Sequence, residues 1–117
     1  MRILFLDDDP VRTARFLERE PDATCVETAG ECINQLHHYD WDQVFLDHDL
    51  GGEIYVESGR EDCGMEVVRW LEQNHCDISR IIVHSYNHAA AEQMVERLKA
   101  TGYARVHRIP FANLFNR

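Results

Sequence analysis

The sequence contains no apolar segment long enough to cross a membrane. Its amino terminus also lacks the long apolar stretch of a secretory signal peptide, because Asp7 interrupts the run that begins MRILFL. Only four cysteines are present, and their spacing matches no zinc-binding pattern. Without an export signal, a disulfide framework is not expected either. We therefore predict a cytoplasmic protein that does not bind membranes and whose cysteines serve as small apolar residues.

Positive charge is also scarce, since 12 lysines and arginines face 21 aspartates and glutamates, for a net charge of −9. This balance argues against broad electrostatic binding to nucleic acid or to an anionic membrane. It does not exclude a phosphate-bearing ligand that is held through a metal ion. The length of 117 residues and the hydrophobic fraction of 44% predict one globular domain, residues 1–117, around a single core.

Short apolar runs alternate along the chain with amphipathic segments of helical period. The predicted strands are 2–6, 23–27, 43–46, 80–83 and 104–107, and the predicted helices are 10–20, 28–39, 62–74 and 87–100. A short turn is predicted at 111–117, and the segment GGEIYVESGR is the least regular part of the chain. This alternation predicts an α/β fold with a parallel sheet that is covered by helices on both faces.

Three of the predicted strands end in polar side chains. The first runs into Asp7 and Asp8, the third into Asp47, and the fourth into His84 and Ser85. Ligands of open parallel sheets bind outside the carboxyl ends of the strands, at the switch in strand order. We therefore expect these side chains to meet in one crevice.

Several carboxylates in one crevice repel one another unless a counterion is present, and a divalent cation is the simplest one. Mg²⁺ prefers oxygen ligands, whereas a nitrogen ligand from His48 or His84 would favour Mn²⁺ or another transition metal. Asp49 is equally suited to shaping the turn before Gly51 and to a role in the site. Ser85 and Asn87 could donate hydrogen bonds to phosphate oxygens, beside the start of a helix.

The chain resembles the receiver domains of two-component response regulators. LFLDDD matches their first strand with its acidic pair, VFLD matches the strand that carries the phosphoacceptor aspartate, and VHS places Ser85 at the position of their Ser or Thr. IPF is similar to the Lys–Pro–Phe of their fifth strand, with Ile109 in place of the lysine. The resemblance implies a flavodoxin-like, receiver-like three-layer sandwich with five parallel strands in the order 2-1-3-4-5. It also implies a shortened or missing fifth helix, because little chain remains after IPF.

Other features resemble a narrower group, the cyclic-phosphate processing receiver domains. In that group, the acidic residues are accompanied by histidines in motifs like DHDLGG and HSYN. This resemblance implies a metal-dependent phosphoesterase that acts on a cyclic phosphate, such as a 2′,3′-cyclic nucleotide or RNA end. It implies catalytic roles for Asp47, His48 and His84, substrate binding by Ser85 and Asn87, and a Mg²⁺ or Mn²⁺ site formed by Asp7, Asp8, Asp47 and Asp49.

Two other functions stay open from the sequence. One is a divergent receiver that is phosphorylated on Asp47, or works as a binding module without phosphorylation, and acts by binding a partner. The other is a receiver-shaped module that holds a phosphorylated ligand without chemistry. Ile109 stands where receivers carry a lysine, and this favours the enzyme over the phosphorylated switch, because a switch needs a cation beside its acyl phosphate. The long segment Gly51–Gly64 is either a lid beside the crevice or a surface insertion, and the sequence does not specify an oligomeric state.

Overall fold

The computed structural model describes residues 1–53 and 55–115, which form a single five-stranded sheet flanked by helices. The strands are β1 (Ile3–Leu6), β2 (Thr24–Val26), β3 (Gln43–Leu46), β4 (Arg80–Val83) and β5 (Val106–Arg108). The helices are α1 (Pro10–Arg19), α2 (Ala29–His38), α3 (Gly64–Gln73) and α4 (His88–Ala100), followed by a 3₁₀ turn at Phe111–Asn113. None of the helices in these ranges is long and apolar enough to cross a membrane.

The sheet is entirely parallel and has the order β2-β1-β3-β4-β5, which confirms the predicted strand order. Its register aligns the carboxyl ends of the three central strands. Leu6 pairs with Leu46, and Leu46 pairs with Val83. The residues that follow these three positions therefore begin side by side at one edge of the sheet.

The two faces of the sheet are apolar because alternate residues of each buried strand point to opposite sides. One face carries Leu4, Leu6, Val44 and Leu46, which pack against the buried sides of α2, α3 and α4. The other face carries a smaller cluster, in which Ile3, Phe5, Phe45 and Ile82 of the sheet pack against Phe16 of α1 and Phe111 of the 3₁₀ turn. These two clusters complete the predicted three-layer arrangement.

Polar caps fix where the helices begin. Asp9 accepts a hydrogen bond from the backbone N–H of Val11, with Pro10 at the first helical position. Thr28 accepts one from the N–H of Glu31, at the capping box expected from the sequence. Each cap satisfies a backbone donor that the helix itself leaves unpaired.

Two elements begin two residues later than the sequence predicted, whereas the starts of the others agree within one residue. Helix α3 begins at Gly64 rather than 62, because the backbone of its N-cap Cys63 is extended and the N–H of Gly64 donates to the carbonyl of His48. Strand β5 begins at Val106, where the chain first comes into register with Ile81 of β4. After β5, the described chain forms one 3₁₀ turn through Asn113, in place of a fifth helix. The end of the predicted turn, residues 116–117, lies outside the described residues.

Candidate functional site

The carboxyl ends of β1, β3 and β4 bring Asp7, Asp47 and His84 together. One ligand atom from each residue lies within 4.8 Å of the others, and all three residues are buried. Two carboxylate oxygens and one imidazole nitrogen are a donor set that Mg²⁺ or Mn²⁺ accepts. Within the described residues, this is the one such cluster of three groups.

Asp7 is the most heavily hydrogen-bonded member of the cluster. Its Oδ2 accepts from Nε of Arg12 at 2.8 Å and lies 3.1 Å from Nε2 of His84. Its Oδ1 accepts from Nη2 of Arg12 and from the backbone N–H of Asp9, both at 2.9 Å. Burial alone would raise the pKa of Asp7, but the hydrogen bonds from His84 and Arg12 outweigh it and lower the pKa to about 2. Asp7 is therefore a charged carboxylate at neutral pH.

Asp47 has the opposite environment. Its Oδ1 accepts a hydrogen bond from the backbone N–H of His48 at 2.9 Å, but its Oδ2 is buried and has no hydrogen-bond partner among the described residues. The nearest cation is Nη2 of Arg12, 3.5 Å from Oδ2. Burial raises the pKa of Asp47 to about 6, and the charge of Asp7 adds to the rise although His84 and Arg12 oppose it. An unpaired carboxylate oxygen in this position is available to a ligand.

Arg12 is a member of the site that the sequence analysis missed. Its guanidinium contacts three carboxylates, those of Asp7, Asp9 and Asp47. The contacts raise its pKa, with the hydrogen bond to Asp7 as the largest cause. A signal was present in the sequence, because residue 12 lies three positions after the helix cap Asp9 and so faces the same side of the first turn.

His84 is held in place by stacking as well as by hydrogen bonding. Its ring lies parallel to that of Phe5, with 4.8 Å between the centroids. Its Nδ1 is buried and has no hydrogen-bond partner in the described part of the chain. The register of β4 against β3 puts His84 directly beside Asp47, and Ser85 follows one residue further along.

His48 points away from this cluster. Its Nδ1 lies 2.8 Å from Oδ1 of Asp49, and its Nε2 lies 3.1 Å from Oγ of Ser58. The ring is fully buried between the end of β3 and the segment Gly51–Gly64. The order of the three side chains is that of a serine–histidine–aspartate relay. His48 is fully buried, however, and neither His48 nor Ser58 lines the crevice over Asp47, so here His48 anchors the segment.

Asp49 and Asp8 organise the same segment from the crevice side. Asp49 accepts hydrogen bonds from the backbone N–H groups of Tyr55 and Val56 at 2.9 Å, as well as contacting His48. Burial would raise the pKa of Asp49, but these hydrogen bonds and that of Asn87 lower it. Asp8 accepts from the N–H of Gly52 at 2.5 Å. Gly51 and Gly52 both have a φ of +77°, and this left-handed pair turns the Gly52 N–H towards Asp8.

Ser85 and Asn87 lie at the start of α4. Ser85 is buried, and its Oγ accepts from the backbone N–H of Asn87 at 3.1 Å. Asn87 caps α4 through the N–H of Ala90 and donates its side-chain amide to Asp49 at 3.2 Å. The structure thus places Ser85 at the crevice, whereas the side chain of Asn87 is engaged in the protein.

A crevice of about 360 Å³ opens beside the cluster, and Asp47 is the member of the cluster that lines it. It is large enough for a phosphoryl group together with a small ligand. Its walls come from the first turn of α1, the end of β3, the segment after it and the start of α4: Asp8, Asp9, Pro10, Arg12, Asp47, Asp49, Gly52, Glu53, Ser85 and Tyr86.

Arg108 does not take the place of the receiver lysine. Its guanidinium donates to the carbonyl of Ser85 at 3.1 Å and lies 3.0 Å from Nδ1 of His88, on the α4 side of the sheet. Among the described residues, Arg12 is the arginine that contacts Asp47. The positive charge beside Asp47 therefore comes from α1 instead of from β5.

This fold and this acidic strand-end site define a receiver domain of the response-regulator type. The model of the cyclic-phosphate processing receiver domain matches residues 2–100 of the chain. The chain therefore belongs to the cyclic-phosphate processing receiver domain family. No curated protein matches it in sequence.

Solved structures of response regulators share the fold. One is TrrA from Thermotoga maritima, solved in complex with Mg²⁺-BeF. It is 22% identical to this chain, the match covers 98% of this chain and 88% of TrrA, and the TM-score is 0.66. Another is the non-phosphorylated HemR receiver domain from Leptospira biflexa, which is 21% identical. The match covers 93% of this chain and 80% of the HemR chain, with a TM-score of 0.67. The Francisella response regulator 1452 receiver domain is 18% identical. The match covers 97% of this chain and 88% of that domain, with a TM-score of 0.62. At these identities, the similarity establishes the fold alone.

Proposed function

We propose that the chain is a divergent receiver domain whose Asp47 accepts a phosphoryl group in a crevice that also binds a divalent cation. One observation carries this proposal. Asp47 lines the crevice, and its Oδ2 is buried, has no hydrogen-bond partner among the described residues and lies 3.5 Å from a guanidinium. A carboxylate oxygen in that state is poised to form a bond to an incoming electrophile.

Asp7, Asp47 and His84 would hold the cation. Their donor atoms lie close enough for a single ion, and the unpaired Oδ2 of Asp47 supplies one free ligand position. A bound Mg²⁺ or Mn²⁺ supplies charge that neutralises phosphoryl oxygens and the carboxylates around them. Asp8 and Asp49 line the same crevice but are engaged with the backbone of residues 52, 55 and 56, so they are outer members of the proposed site.

The transfer step uses a small phosphodonor such as an acyl phosphate or a phosphoramidate. Oδ2 of Asp47 attacks the phosphorus, an O–P bond forms, and the bond from phosphorus to the leaving oxygen or nitrogen breaks with its electron pair. Arg12 lies beside Oδ2 and can pair with the new phosphoryl oxygens through its planar fork. This assigns to Arg12 the cationic role that Ile109 cannot perform.

Phosphorylation is tested by treating the protein with acetyl phosphate and Mg²⁺ and measuring its intact mass. We expect wild-type protein to gain the mass of one phosphoryl group, and borohydride reduction followed by peptide mapping to locate it at Asp47. The Asp47→Asn variant is the control and should gain nothing. A wild-type protein that stays unmodified, or an Asp47→Asn variant that is modified equally, contradicts the proposal.

Hydrolysis of a cyclic phosphate is the second candidate function, supported by the family description and by the imidazole of His84 beside Asp47 and Asp7. In this reaction, water attacks the phosphorus of a 2′,3′-cyclic nucleotide or RNA end, and one of the two ring P–O bonds breaks to give a monophosphate. His84 would exchange a proton with the water or with the leaving oxygen. His84 is the better candidate because it lies beside Asp7 and Asp47, whereas the ring nitrogens of His48 contact Asp49 and Ser58.

Phosphorus NMR of a 2′,3′-cyclic nucleotide with Mg²⁺ or Mn²⁺ distinguishes the two functions. A monophosphate product with wild-type protein, absent with Asp47→Ala, would establish the hydrolase. An unchanged cyclic nucleotide with both metals, together with phosphoryl labelling of Asp47, would establish the receiver.

A further inference from the structure

We propose that Arg12 is a built-in counterion that competes with the divalent cation for Asp7 and Asp47, so that cation binding requires the Arg12 side chain to leave the cluster. The inference rests on the cation site of the proposed function and says how that site is regulated.

The hydrogen bonds of Asp7 carry the first step. An ionised carboxylate offers about four acceptor positions. Four are engaged here: two by the Arg12 guanidinium, one by the N–H of Asp9 and one by the imidazole of His84. A cation held by Asp7 and His84 replaces the hydrogen bond between these two residues and meets the Arg12 guanidinium, whose Nε donates to the same oxygen, Oδ2.

Arg12 is the partner that can move. The N–H of Asp9 belongs to the backbone at the start of α1, and His84 is buried and stacked on Phe5. The Arg12 side chain is 27% exposed and reaches into the cluster from the first turn of α1. It can rotate out into the crevice without disturbing the packing of the sheet.

Charge makes the two occupants mutually exclusive. Arg12 brings one positive charge to the two carboxylates of the cluster, those of Asp7 and Asp47, and it leaves Oδ2 of Asp47 without a hydrogen bond. A divalent cation at the same oxygens would lie within a few ångströms of the guanidinium and repel it strongly in this buried position. Once released, the guanidinium stays at the wall of the crevice, where it can meet a phosphoryl group. Cation binding would thus free Arg12 for the phosphoryl oxygens.

The test is cation affinity, measured by Mn²⁺ electron paramagnetic resonance and by Mg²⁺ competition at 25 °C, with no phosphodonor present. Removing the competitor in Arg12→Gln should tighten Mn²⁺ binding about ten- to a hundredfold, which corresponds to the loss of one charge-assisted ion pair. Arg12→Lys keeps the charge but loses the planar fork, so its Mn²⁺ affinity should lie between those of wild-type protein and Arg12→Gln. The matched control is Arg15→Gln, which removes the same charge from the exposed side of α1 and should leave the affinity unchanged.

Equal or weaker Mn²⁺ binding by Arg12→Gln would overturn the inference while leaving the cation site intact. If neither protein binds Mn²⁺, the cation site of the proposed function fails and the inference fails with it. A second measurement on wild-type protein holds even if the variant does not fold. The Nε–H resonance of Arg12 in a ¹⁵N spectrum should shift on addition of Mg²⁺, whereas that of Arg15 should not. An unmoved Arg12 resonance at saturating Mg²⁺ contradicts the inference.

Discussion

Nε2 of His84 lies 3.1 Å from Oδ2 of Asp7, although 77 residues of chain separate the two. Both side chains are buried, so the contact joins the ends of two strands inside the protein. A buried carboxylate that loses a hydrogen-bond donor keeps the full cost of its desolvation. The pair should therefore contribute to stability as well as to the site.

Two variants of His84 separate the hydrogen bond from the packing. In His84→Gln the side-chain amide can still donate to Asp7, whereas in His84→Leu the volume is kept and the donor is lost. We expect the leucine variant to be about 1–3 kcal/mol less stable than the glutamine variant at pH 7, as measured by urea unfolding. Equal stabilities would mean that the His84–Asp7 contact contributes nothing. His107→Gln, on the exposed side of β5, is a control that should change the stability little.

The sequence was sufficient for the fold and for the core of the site for a physical reason. Buried parallel strands appear as continuous apolar runs, and the first polar residue after each run marks where the strand leaves the core. Asp7, Asp47 and His84 follow directly from that pattern. The sequence also indicates which way the His48 side chain points. Consecutive residues of an extended chain point to opposite sides, and His48 is next to Asp47.

Other contacts could not be predicted from the sequence. The partner of His48 is Ser58, in a segment that has no regular period and whose path depends on hydrogen bonds to Asp49. The place of Arg12 depends on which of several nearby carboxylates its long side chain reaches, which only the folded arrangement decides. Long polar side chains and irregular segments are thus where the sequence analysis was least informative.

Gly64, the first residue of α3, packs directly on the backbone that carries Asp47. Its N–H donates to the carbonyl of His48 at 2.8 Å, and a Cβ at this position would lie 2.8 Å from the carbonyl carbon of Asp47 and from Cα of His48. Because both neighbours are backbone atoms, they cannot move aside as a flexible side chain could. The start of α3 therefore has to be glycine for β3 and α3 to approach this closely.

We expect Gly64→Ala to lower the free energy of unfolding by about 1–3 kcal/mol and to reduce phosphoryl labelling of Asp47. The control is Gly30→Ala in α2, where a Cβ meets nothing within 4 Å. Because alanine has a higher helix propensity than glycine, this control should instead raise the free energy of unfolding by about 0.5–1 kcal/mol. Denaturant unfolding measures both, and a Gly64→Ala variant as stable as Gly30→Ala would show that the close approach is not required.

Asp47 should make stability depend on pH. Its pKa in the folded protein is raised from 3.8 to about 6, mainly by burial, so the folded state binds the proton more tightly than the unfolded chain does. The stability that this provides is fully present below pH 3.8 and is lost as the pH rises through about 6. Asp7 has the opposite effect: its lowered pKa provides stability above pH 3.8 that is lost as the pH falls towards 2.

The variant Asp47→Asn removes the first of these effects. In the presence of a chelator, wild-type protein should lose up to about 3 kcal/mol relative to Asp47→Asn between pH 4 and pH 7. Urea unfolding at a series of pH values measures the difference. Parallel pH profiles for the two proteins would show that burial does not raise the pKa of Asp47 in the folded state.

Ser58 ties the segment Gly51–Gly64 to the core through the buried ring of His48. In Ser58→Ala, Nε2 of His48 loses its partner in a place that water does not reach, so the segment should detach more often. We expect faster amide exchange and faster proteolysis within residues 51–64, with phosphoryl labelling of Asp47 retained. Exchange mass spectrometry measures this, and Ser79→Ala at an exposed position is the control. If labelling disappears while exchange is unchanged, Ser58 acts in the chemistry of the site rather than as an anchor.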